Sequence, residues 1–223
     1  MNRSDFKGLS VQDRPQILSI SINYTIPTNG FTNRNRLTRT LLAGWTVGAI
    51  NQYSSGQLLL APGSNNSLGT YLPGFATRQF RNPGVPLYLK DINCGCNDPT
   101  KDIVLNPAAW SDQAPGTFGS GTTYYSDFRG QRRPVESLSL GKRFTFRERF
   151  AFSIRAEFFN PFNRNESLSD PVTTSPSNPP TRNAQGLLTG GFGYINYTAI
   201  ASNSVGGTIP SPRTGQIVAR FEF

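Results

Sequence analysis

Five stretches of this 223-residue chain alternate apolar and polar residues with a period of two, and no other feature restricts the fold as tightly. In "QILSISINYTI", Leu18, Ile20, Ile22, Tyr24 and Ile26 alternate with Ser19, Ser21, Asn23 and Thr25. "GWTVGAINQYS" sets Trp45, Val47, Ala49 and Tyr53 against Thr46, Gly48, Gln52 and Ser54. In "PVESLSLGKRFTF", Leu138, Leu140, Phe144 and Phe146 oppose Ser137, Ser139 and Arg143, with Lys142 on the apolar side. "RFAFSIRAEFF" places Phe150, Phe152, Ile154, Ala156 and Phe158 against Ser153, Arg155 and Glu157. "GQIVARFEF" sets Ile217, Ala219, Phe221 and Phe223 against Gln216, Arg220 and Glu222. A helix would show a period of 3.6; these segments are half-buried strands.

Their length separates two settings. Strands are expected near 16–26, 44–55, 134–146, 149–159 and 214–223 of a single 1–223 domain. They run to roughly 10 to 12 residues, where soluble strands average about 5 to 6. An apolar band of ~25 Å crossed at ~40° needs about 10 residues. The connections alternate as well: a moderate link, a very long one over about 57–133, a tight turn at Arg147 and Glu148, then a long one over about 161–212. Short periplasmic turns and long extracellular loops alternate in this way in outer-membrane barrels. The expected fold is therefore all-β: an antiparallel transmembrane β-barrel segment, about five strands of a larger barrel, with long extracellular loops. That direction collects Tyr24, Trp45, Phe144 and Phe150 at the periplasmic ends of their strands, where an interfacial aromatic girdle belongs. Phe146, Phe221 and Phe223 fall at the same level, and Tyr53 and Phe158 near the outer ends. Lys142 lies a few residues from the turn, so its ammonium is expected to reach the headgroups.

Composition removes other classes. With 22 glycines, 17 prolines and no long run of helix formers, the composition favours an all-β chain with long loops over a helical one. No run of 18 apolar residues exists, and "MNRSDFKGLSVQDRPQ" lacks the apolar core of a signal peptide. The net charge of +9 sits in clusters at connections (Arg34, Arg36 and Arg39; Arg129, Arg132 and Arg133; Arg147 and Arg149) and not along one face, so nucleic acid is not an expected partner. The absence of histidine removes triads and the commonest metal ligand. Asp98, Asp102, Asp112, Asp127 and Asp170 lie in connections with nothing to fix a working pair, so no catalytic residue, cofactor or metal is assigned and an enzyme is not expected. Cys94 and Cys96, in "NCGCND", read as a small disulfide or a free thiol pair in an exposed loop in preference to a metal site.

The chain resembles the C-terminal portion of Oar-like TonB-dependent transporters, large outer-membrane receptors. The resemblance rests on "DRPQILSISINYTIP", "LLAGWTVGAINQYSSGQ", "LNPAAWSDQAPGTFG", "RGQRRPVESLSLGKRFTFRERFAFSIRAEFFNPFN" and "PRTGQIVARFEF", with Arg129 to Asn163 the most specific part. It implies a barrel of about 22 strands filled by an N-terminal plug and energised through a periplasmic TonB contact. Plug, TonB-contact segment and most strands are absent from these residues, so an N-terminally truncated receptor in the cell outer membrane is expected. Phe221 and Phe223 then match the C-terminal signal read by the barrel-assembly machinery. Arg155, Glu157, Arg220 and Glu222 face the lumen, with Arg155 and Glu222 as a candidate cross-strand pair. The other expected partners are the remaining strands, the plug and outer-membrane lipid, with TonB reached only through the missing N-terminal segments. The alternative is a soluble or surface-exposed all-β ligand-binding or adhesion module.

Overall fold

A computed structural model describes residues 8–27, 44–65, 77–115, 117, 121–146, 150–164, 169–197 and 213–223. In chain order its strands are β1 Ile17–Thr25, β2 Trp45–Ser54, β3 Leu58–Leu60, β4 Phe80–Arg81, β5 Trp110–Ser111, β6 Tyr124–Arg129, β7 Val135–Phe146, β8 Phe150–Phe159, β9 Thr181–Arg182, β10 Leu188–Gly190 and β11 Thr214–Glu222. One 3-10 turn, Pro107–Ala109, is the only helical element among the described residues. The protein is all-β, and its strand pairs are antiparallel. It divides into two compact units.

One unit, 16–54, 134–165 and 210–223, is a single five-stranded sheet in the order β1-β2-β7-β8-β11. These are the five alternating segments, and the length that marks them in the sequence is the length over which they pair. The ladder between β7 and β8 runs unbroken from Ser137↔Phe159 to Phe146↔Phe150. The links β1–β2 and β7–β8 close one end of the sheet, and both long connections leave from the other. At the closed end Gly44 takes φ 73°, a left-handed conformation that costs glycine nothing, and the Ile26 carbonyl accepts from its N–H at 3.2 Å. The turn at Arg147 and Glu148, with Arg149, Arg34, Arg36 and Arg39, lies outside the described residues.

The other unit, 1–15, 55–133 and 166–209, contains the two long connections. They are not plain loops. Leu59, Ala61, Leu87, Ile92, Val104, Leu105, Ala109, Trp110, Phe128, Phe192 and Ile195 form a dry core, ordered by the short pairs β3–β6, β4–β5 and β9–β10. Trp110 packs edge-on against Phe128 at 5.1 Å and Tyr125 at 5.7 Å. The Asn106 side chain caps the 3-10 turn, accepting from the Ala108 N–H at 3.1 Å and donating to the Pro86 carbonyl at 2.8 Å. Gly193, at φ 79°, lets the chain pass so close to Leu105 that a Cβ would meet its amide nitrogen at 2.7 Å. Cys94 and Cys96 are joined as a disulfide, the first of the two states the sequence left open.

Candidate functional site

Pairing register assigns every residue of the five-stranded sheet to one of two faces. Residues directly opposite share a face, so Glu157 with Gln216, and Ser153 with Arg220 and Arg143, define the polar one. Arg155, Glu157, Arg220 and Glu222 all lie on it, as does Arg143. Arg155 pairs with Glu157, its same-face neighbour two residues on, and Gln216 donates to the same carboxylate. Glu222 accepts from Arg143 at 2.6 Å and forms an ion pair with Arg220 at 3.3 Å. The candidate pair Arg155–Glu222 is thus corrected. Arg143 takes Glu222, crossing β8 where Ala151 is the residue opposite Glu222 and leaves it room. The arginines of these pairs and Glu222 are solvated, Glu157 less so, and a solvated pair is worth only about 0–1 kcal/mol. Their effect is a hydrated face of alternating sign.

The opposite face is apolar and bare. Leu18, Ile20, Ile22, Tyr24, Leu140, Ile154, Phe158, Ile217, Phe221 and Phe223 are exposed on it, Ile217 at 75% and Phe223 at 96%. Burying one such side chain gains about 1.5–3 kcal/mol, and a sheet bound for water would cover them. Tyr24, Trp45, Phe144 and Phe150 all lie toward the closed end of the sheet. Phe144 stacks on Phe152 at 6.3 Å, Phe150 on Phe221 at 6.1 Å, and Phe221 on Phe223 at 6.3 Å. Among the described residues no strand pairs with the outer edge of β1 or of β11.

Two polar intrusions interrupt the apolar face, one near each end. Lys142 is only 4% exposed, its ammonium 4.9 Å from the Trp45 ring centre and 5.2 Å from that of Phe144. Both aromatic faces lie within cation–π range of the charge. Toward the open end, the Glu136 side chain, 2% exposed, accepts from Arg164 Nε at 2.9 Å and from the Tyr53 hydroxyl at 2.9 Å. Asn51 is the residue opposite Glu136, and its buried Oδ1 has no hydrogen-bond partner among the described residues. Sequence reasoning passed over Glu136 and Asn51, although parity with Leu138 and Val47 marks both.

In the unit with the dry core, the five candidate carboxylates are each tied into structural contacts, Asp102 also accepting from the Asp98 N–H at 3.0 Å. Asp127 binds Arg81 at 2.7 Å, Asp102 binds Lys90 at 2.7 Å, and Asp98 binds Lys101 at 3.2 Å. Thr100, through its hydroxyl and amide, and then Lys101 hold Asp98 below the ordinary carboxylate range, and Lys90 does the same for Asp102. Burial works to raise Asp112, but hydrogen bonds from Ser64, Asn65 and Gln113 outweigh it and leave it low. Asp170 goes the other way: burial raises it, against Arg133 at 3.5 Å. Arg129 is held by Asp13 at 2.6 Å, and its backbone N–H and C=O both bond the Tyr88 hydroxyl at 2.7 Å. A concavity of about 400 Å³ lies beside this contact, lined among others by Tyr88, Lys90, Asn93 and Arg132.

A long-stranded antiparallel sheet with a bare apolar face, a hydrated charged face and two unpaired edges is a piece of membrane-barrel wall. Residues 1–216 match the family of the outer membrane beta barrel domain, and the chain belongs to that family. No curated protein and no solved structure matches it.

Proposed function

We propose that the chain is a wall segment of an Oar-like TonB-dependent transporter, with the apolar face toward lipid and the charged face toward the lumen. The observation that carries this is the open five-stranded sheet: each edge left unpaired among the described residues exposes N–H and C=O groups that hydrocarbon cannot satisfy, so further strands must complete the wall. The resemblance from Arg129 to Asn163 names the kind of wall. The closed end faces the periplasm, and the unit built from the long connections is extracellular and captures substrate. The concavity beside Tyr88 and Arg129 is the place within that unit for a small ligand. Partners follow from the same reading: barrel-assembly machinery at Phe221 and Phe223, a plug against Arg155, Glu157, Arg220 and Glu222, and TonB through the plug.

An epitope inserted beside the exposed Gln185 at the native locus, which leaves Phe223 as the last residue, tests this. It should travel in a heat-modifiable outer-membrane species far larger than 223 residues, one that cross-links to TonB. A small soluble species carrying the epitope would favour instead a secreted ligand-binding module, for which the independent dry core is the supporting observation. Expressed by itself, the chain should aggregate through β1 and β11.

A further inference from the structure

We infer that Cys94 and Cys96 form a thiol-capture site, where an incoming small-molecule thiol opens the disulfide and is held as a mixed disulfide on Cys96. This stands apart from the transport proposal.

The turn does not need its cross-link. The Asp91 carbonyl accepts from the Cys94 N–H at 3.0 Å and from Asn97 Nδ2 at 2.6 Å. Asp91 Oδ1 also accepts from the Asn93 N–H at 2.9 Å, and the Cys94 carbonyl from the Asn97 N–H at 3.3 Å. A disulfide constrains the unfolded chain in proportion to the logarithm of the loop it closes, and this one spans a sequence separation of 2. Stability therefore gives little reason for it to be there.

The two sulfurs also differ in a way that directs exchange. Cys96 is exposed and Cys94 only partly so. The Cys96 N–H donates to Cys94 Sγ at 3.2 Å, which favours negative charge on Cys94 and makes it the better leaving group. Gly95, between them, has open space where a Cβ would stand, so no neighbouring group covers the turn at that point. In the step itself a thiolate attacks Cys96 Sγ and a new S–S bond forms. The Cys94–Cys96 bond breaks, and its electron pair stays on Cys94 as a thiolate. Release is the reverse: Cys94 attacks Cys96 and expels the thiol, with no net oxidant or reductant consumed.

The test treats the full chain in detergent with glutathione, quenches with excess N-ethylmaleimide at neutral pH, and analyses the unreduced peptide 91–101 by mass spectrometry. The glutathione adduct should fall on Cys96 and the maleimide on Cys94, in about tenfold excess over the reverse isomer, as one charge-assisted N–H bond supplies. That excess should vanish in urea, and removing glutathione before the quench should restore the disulfide. Equal isomers in the folded chain, an adduct mainly on Cys94, or conversion to the dithiol without an adduct would each overturn the inference.

Discussion

The two units solve the same problem in opposite ways. Around Phe128, which is 0% exposed, apolar side chains meet one another and exclude water. On the five-stranded sheet the apolar side chains are just as numerous, yet they point outward and almost none is buried. A chain that spends its greasy residues on an internal core is built for water. One that lines them along a bare face is built for a solvent that is itself greasy.

Mutation should separate the two. The largest effect is expected in the core: Phe128→Ala leaves a cavity costing about 3–5 kcal/mol, seen as loss of hydrogen-exchange protection around Leu105 and Val104. The sheet should keep its protection, and equal loss in both units would end the comparison. Next is the bare face. Ile154→Arg, near the middle of β8, should cost about 2–4 kcal/mol in a bilayer, whereas Ser139→Arg, on the polar face opposite Glu157, should change refolding into vesicles little. Smaller again is Tyr88→Phe, which strands the Arg129 N–H and C=O and should cost about 1–3 kcal/mol. Burial pushes the Tyr88 phenol up to about 12 from 10.0. Its stabilising contribution is therefore complete below pH 10 and lost as pH rises through about 12. Absorbance titration against Tyr88→Phe should show that late step. The smallest effect belongs to the polar face: Arg143→Ala removes a solvated contact with Glu222 and should cost no more than about 1 kcal/mol in assembled yield.

The same contrast governs what the sequence discloses. The five long strands are legible because each repeats one physical rule, apolar then polar, along strands of nine or more residues, with breaks only at Asn51 in β2 and at Glu136 and Lys142 in β7 among the apolar positions. The core unit obeys no such rule. Its strands pair over two to six residues, and Leu87, Ile92, Val104, Trp110, Phe128 and Phe192 reach one another only through turns that leave no periodic trace. Within the sheet, Arg155 and Glu157 sit two apart on one strand, so sequence alone places them on one face. Arg143 and Glu222 meet across an intervening strand, and only register discloses that. Glu136 and Asn51 carry the right parity, but their apolar neighbours dominate the pattern.

Which way the bare face points is the centre of the matter, and spin labels report it directly. Ile154→Cys and Ser153→Cys are labelled in turn in the membrane-assembled receptor, where the native cysteines, joined as a disulfide, take no label. Lipid-dissolved oxygen should relax the label at 154, and a water-soluble nickel complex the label at 153. The reverse pattern, or nickel access at both positions, would contradict a lipid-facing wall.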